Sequence, residues 1–151
     1  MQVGEENLII GNSFRRHNCS AHLAGVAEVD RIVVDLDKVF PHGKQGENLC
    51  ECVIFYIDDK DNLVIVPIEL KGGKNAEAKK AVEQLRGGTK YADTYAPKHI
   101  STVVYPILFH NQLNKAEVRR LKQSRSRIQF HGKSFEVKTA RCGSKLIDVI
   151  Q

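Results

Sequence analysis

Glu69 and Lys71 close an apolar run in the stretch VPIELKGGK, residues 66–74. Successive strand side chains alternate faces, so an acid and a base two residues apart share one. A second acid, Glu51, stands in the preceding apolar run, CECVIFYI at 50–57. Two carboxylates can hold a hard divalent cation such as Mg²⁺ or Mn²⁺, and a lysine beside them can position or activate a water that attacks a phosphodiester. The ammonium also meets the negative charge that develops on phosphoryl oxygens. The same residues fit a plain ion pair at the rim of a sheet, which contributes little. Spacing by itself favours that plainer reading.

The elements that must position these residues are legible in outline. CECVIFYI and LVIVPIEL at 63–70 are separated by the polar DDKDN and predict an antiparallel hairpin. Pairing Ile57 with Leu63 brings Glu51 opposite Glu69 at the open end, and leaves Asp58, Asp59 and Asp61 in the turn at the other. Both strands are apolar on both faces, which predicts a place inside a covered sheet. Pro67 predicts a bulge or a lost ladder bond. AEAKKAVEQLR at 76–86 predicts a helix with Ala78, Ala81, Val82 and Leu85 as its stripe, Asn75 as its cap and Gly87 as its stop.

Further along, ISTVVYPILF at 100–109 reads as a strand and NKAEVRRLKQSR at 114–125 as a helix capped by Asn114, with Ala116, Val118 and Leu121 partly buried. RIQFHGKSFEVKT and KLIDVI supply short strands. VDRIVVDLDKVF at 29–40 fits helix and strand alike, and residues 1–27 stay open, with a weak helical period in CSAHLAGVAEV. The sum is a mixed α/β domain around one central sheet.

A chain of 151 residues fits one domain. With 42% apolar and 27% charged residues and no repeat, it has the composition of an ordered globular protein. The acidic start MQVGEENLII and the lack of a span-length apolar run argue against a secretory signal and a membrane segment, and predict a cytoplasmic protein. Cys19, Cys50, Cys52 and Cys142 are then expected as reduced thiols, and neither CEC nor HNCSAH has zinc-site spacing. KGGK lacks the Walker pattern, and no Ser-His-Asp elbow or His-Glu-x-x-His occurs.

Lys and Arg number 23 against 18 acids. The modest excess suits a polyanionic partner without requiring one. Lys115, Arg119, Arg120, Lys122, Arg125 and Arg127 crowd one stretch against Glu117, while Lys74 and Lys80 flank the Glu-x-Lys segment. A charge run is usually a solvated face; beside a site for phosphodiesters, Lys74, Lys80, Arg119, Arg120 and Lys122 become candidate phosphate contacts.

An acid opening one strand, Glu-x-Lys ending the next and a helix following, over residues 47–91, resembles the PD-(D/E)XK nuclease superfamily, the restriction-endonuclease-like fold. The resemblance implies a central mixed sheet flanked by helices and hydrolysis of phosphodiester bonds, in DNA more than RNA. It implies Mg²⁺ or Mn²⁺ on Glu51 and Glu69, with Lys71 assisting the nucleophilic water and Gln84 near the metal or nucleic acid. So small a core implies a homodimer or a partner protein that supplies specificity. Glu28 or Glu47 is a possible upstream acid, though surface charge is the plainer reading of either. Glu51, where the family more often has Asp, and Pro67 motivate the alternative of an inactive nuclease-fold module that binds nucleic acid or a protein.

Overall fold

A computed structural model of the protein describes residues 7–8 and 11–150. Its elements run β1 (Ser13–Arg16), β2 (Cys19–His22), β3 (Ile32–Asp35), α1 (Leu36–Val39), β4 (Cys52–Ile57), β5 (Leu63–Lys71), α2 (Ala78–Tyr95), β6 (Thr102–Val104), β7 (Ile107–His110), α3 (Lys115–Leu121), β8 (Ile128–Phe130), β9 (Lys133–Phe135), β10 (Lys138–Arg141) and α4 (Leu146–Ile150). The central sheet is mixed, in the order β10-β7-β5-β4-β3, with β6 also paired to β5. β3, β4 and β5 form an antiparallel meander. α2 then carries the chain back to β6 and β7, parallel to β5, and β10 joins β7 in parallel.

The hairpin has the register that the sequence count requires: Ile57 faces Leu63, and the ladder runs to Cys52 facing Ile68. β5 is buried along its length except at Lys71, as a strand covered on both faces must be. Its odd-numbered residues Leu63 and Ile65 pack with Ala81, Val82 and Leu85 of α2. Its even-numbered residues Val64, Val66, Ile68 and Leu70 pack with Phe14, Ala21, Leu23 and Leu146 from the β1–β2 hairpin and α4. Glu69 and Lys71 therefore lie on the face that α2 covers.

Pro67 remains in register with Val53. β6 pairs with β5 only as far as Ile65, and β7 takes over at Ile68. Ile65 uses its carbonyl toward β6, accepting from the Tyr105 amide at 2.9 Å. By alternation Pro67 turns its nitrogen to that same edge, into the break between β6 and β7, where a missing N–H costs no ladder bond.

Several local expectations need correction. The run at 100–109 is two strands, interrupted at Tyr105 and Pro106. The ambiguous run at 29–40 is strand, then helix: β3 ends at Asp35, whose carboxylate caps α1 by accepting from the Asp37 amide at 3.1 Å. CSAH at 19–22 is a strand rather than the start of a helix, because it pairs with β1 across the His17–Asn18 turn. KLIDVI is a helix, α4, from Leu146 on. Of the open stretch 1–27, residues 1–6, 9 and 10 lie outside the described residues.

α2 neither starts at Asn75 nor stops at Gly87; its N-cap is Glu77 and it continues to Tyr95. In α3 the Asn114 cap holds, accepting from the Glu117 amide at 3.0 Å. Ala116 is exposed there and Glu117 is buried in its stead. The acid accepts from the Ala78 amide at 3.3 Å and holds Arg120 at 2.8 Å, so it caps the start of α2 from a neighbouring helix.

The cysteines are not all thiols. Cys19 and Cys142, 123 residues apart, form a disulfide with their Cα atoms 4.9 Å apart. β2 runs beside the chain after β10, joined by Gly143 N–H to Ser20 O at 2.7 Å and His22 N–H to Ser144 O at 3.1 Å, and this brings the two together. Cys50 and Cys52 are free and buried.

Candidate metal centre

Each side chain at the open end of the hairpin is fixed by backbone on more than one side. Glu51 follows Cys50 into β4; its amide donates to Ile68 O at 3.0 Å and its carbonyl accepts from the Leu36 amide at 3.1 Å. The ladder ends one residue earlier, at Cys52 and Ile68, so Glu51 and Glu69 are the next pair in register at its mouth. α2 lies tight across this point. A Cβ on Gly87 would stand 1.7 Å from Asn48 O, and one on Gly88 2.2 Å from Cys50 Sγ. Glycines in mid-helix cost stability, and here they let residues 48–50 pass directly under the helix.

Gly72, just after Lys71, answers to a similar demand: a Cβ there would come to 1.7 Å from His17 O. The turn at His17 and Asn18, with φ of 53° and 58°, packs against this glycine. It delivers His17 Nε2 to 3.2 Å from Glu51 Oε1. Arg16 in the same hairpin pairs with Asp35 and lies 3.7 Å from Asp37.

Glu69 is fully buried, and the Lys71 ammonium stands 3.1 Å from its Oε2. Glu69 Oε2 has the Lys71 ammonium, whereas Glu69 Oε1, Glu51 Oε2 and Gln84 Oε1 are buried without a hydrogen-bond partner. Gln84 sits one helical turn before Gly88, on the stripe of α2 that crosses Cys50. Burial pushes the Glu51 carboxyl from its ordinary 4.5 up to about 8, with the nearby charges of Glu69 and Asp37 adding to the rise. Burial also raises Glu69, opposed by Lys71. A divalent cation would remove both penalties at once.

These residues fit such a cation. Among the described residues no three His, Cys, Asp or Glu side chains gather into a metal-holding group. The centre offers the Glu51 and Glu69 carboxylates, with the Gln84 amide oxygen on the covering helix. That suits Mg²⁺, which keeps several waters and is commonly held by one or two carboxylates together with substrate phosphates.

Lys74 and Lys80 share a concavity of about 180 Å³ with Lys71. Arg120 lines a larger groove of about 540 Å³ between α2 and α3 with Lys79, Arg86 and Arg125, though its guanidinium is engaged by Glu117. Arg119 is exposed on α3, and Lys122 borders a third groove with Val118 and Leu121, so neither joins Lys71. Glu47 is held by Lys90 at 2.7 Å and Lys44 at 3.3 Å, and Glu28 accepts from the Gly25 amide at 2.6 Å. Asp58 folds back on its own turn, accepting from the Lys60 and Asn62 amides at 2.9 Å.

No family model, curated protein or solved structure matches the chain.

The residues that sequence reasoning missed are His17, Asp35 and Asp37 around Glu51. Glu51 lies far from each along the chain and no local pattern links them; only the positive-φ turn residues His and Asn at 17–18 hinted at a hairpin tip. No helix among the described residues is long and apolar enough to cross a membrane.

Proposed function

We propose that the protein is a metal-dependent nuclease of the PD-(D/E)XK type, hydrolysing phosphodiester bonds in DNA more than in RNA. The observation that carries this reading is the buried carboxylate pair, with Glu51 Oε2 and Glu69 Oε1 unpartnered and Lys71 Nζ 3.1 Å from Glu69 Oε2. Mg²⁺ or Mn²⁺ held by Glu51 and Glu69 would supply Lewis acidity toward phosphate and water. Glu51 and Glu69 hold the cation as carboxylates. Lys71 orients the attacking water and offsets charge on the phosphoryl oxygens. Lys74 and Lys80 seat the backbone of the nucleic acid. A homodimer or a partner protein supplies sequence choice. The test is digestion of plasmid, linear duplex, single-stranded DNA and RNA in Mg²⁺, Mn²⁺ or EDTA.

A second reading, an inactive nuclease-fold module that binds nucleic acid or a protein, is favoured by one observation. The further acids near the hairpin mouth are drawn to Arg16: Asp35 pairs with it and caps α1, and Asp37, beside Glu51, lies 3.7 Å from it. Calorimetric titration with Mn²⁺ separates the two: the nuclease binds it and loses binding on Glu69→Ala, and the module does neither.

A further inference from the structure

β5, β7 and β10 run parallel and end together, and ligands of open α/β sheets gather outside such carboxyl ends. At this end Lys71 is in register with His110, and His110 with Arg141. Residues in register share a face, so the three form a row across the sheet beside Glu69. Strands lie about 4.8 Å apart, which sets Arg141 on the order of 10 Å from Lys71.

His110 and Arg141 are without the partners that a structural role would give them. The His110 Nδ1 is buried and has no hydrogen-bond partner. Arg141 is exposed, and among the described residues its guanidinium has no hydrogen bond or ion pair. Burial and the charge of Arg141 together hold the His110 imidazole below its ordinary range, so near neutral pH it is a ring with one N–H to give. The backbone beneath them is rigidly tied: Cys142 N–H donates to His110 O at 2.9 Å, and the Cys19–Cys142 disulfide anchors the residue that follows Arg141.

We propose that His110 and Arg141 form a phosphate-binding subsite next to the carboxylate pair, which takes the phosphate neighbouring the one at Lys71 on the same nucleic-acid strand. Arg141 starts two strands away from Lys71 on the same face, an offset that suits the phosphate next to the scissile one. Its planar guanidinium presents a fork to phosphate oxygens, and His110 adds a donor from below. The choice of the neighbouring phosphate rests on the nuclease reading; the affinity for phosphate itself does not.

The test has two arms, both in EDTA so that no cleavage enters. In the first, inorganic phosphate is titrated while the His110 ring signal is followed by NMR, in wild type and in Arg141→Gln. In the second, binding of a short fluorescent DNA is measured by anisotropy over a range of salt for wild type, Arg141→Gln, His110→Ala and, as a control at the far end of the hairpin, Lys60→Gln. Thermal melts establish that each variant is folded, and if His110→Ala fails to fold, Arg141→Gln at the exposed position carries the test. The subsite predicts a His110 shift with phosphate that Arg141→Gln removes. It also predicts roughly tenfold weaker DNA binding for Arg141→Gln, with the salt slope smaller by about one, and Lys60→Gln unchanged. An unmoved His110 signal, together with wild-type DNA affinity in folded Arg141→Gln, overturns the subsite. Metal-dependent cutting by the wild type would still leave the nuclease reading intact.

Discussion

Gly88 of α2 lies so close above Cys50 that a Cβ on the glycine would be 2.2 Å from the cysteine sulfur. This contact sets the height of the helix over the mouth of the hairpin, and with it the place of Gln84 above and Glu51 next to Cys50. Gly88→Ala is expected to destabilise the fold by about 1–3 kcal/mol through overpacking. Cys50→Ala removes the sulfur, so the double variant should recover most of that loss. A double-mutant cycle on denaturant unfolding checks it; purely additive losses would mean that the helix is seated elsewhere.

Glu51 gives the metal-free protein a definite pH dependence. Its folded pKa of about 8 lies above its ordinary 4.5. The folded state therefore binds more protons than the unfolded chain between those values, and the contribution of Glu51 is full below the lower and lost as pH rises through the upper. Stability in EDTA should fall from about pH 5 to pH 8, each pKa unit being worth about 1.4 kcal/mol. Glu51→Gln should flatten the fall and leave the variant more stable than wild type at pH 8. Urea midpoints across this range provide the readout.

A cation must displace the same proton, so metal affinity should climb over the same interval. Mn²⁺ is expected to raise Tm more at pH 8 than at pH 6, and Glu69→Ala should abolish the shift at both. Equal shifts in wild type and variant would place the metal outside the carboxylate pair.

The Cys19–Cys142 bond closes a loop that spans most of the chain, its ends separated by 123 positions. Reductant is expected to lower stability by about 2–4 kcal/mol. A Cys19→Ser, Cys142→Ser variant should start lower and no longer respond to reductant. Melting curves with and without dithiothreitol distinguish the cases.

Some of the fold and of the candidate site is legible along the chain, and some is not. The hairpin and its register follow from two continuous apolar runs and a short polar turn, and these alone put Glu51 and Glu69 together. Gly87 resembles a helix stop because sequence shows a glycine's conformational cost and not the backbone it must admit. KLIDVI is too short an apolar run for period to separate strand from helix. The disulfide, the place of His17 on Glu51 and the row from Lys71 through His110 to Arg141 join elements distant in sequence, which no local pattern encodes. Pro67 hints at a fault in the ladder; the sheet sets it where two short strands divide one edge of β5.

Whether Glu51, Glu69 and Lys71 form a metal-dependent site for phosphodiesters is decided by incubating wild type and Lys71→Ala with plasmid, linear duplex, single-stranded DNA and RNA in Mg²⁺, Mn²⁺ or EDTA. Wild type is expected to cut with either metal and not in EDTA, and Lys71→Ala to lose at least about a hundredfold in rate. Folded wild type that cuts no substrate, or a Lys71→Ala variant that cuts as well as wild type, would contradict the assignment.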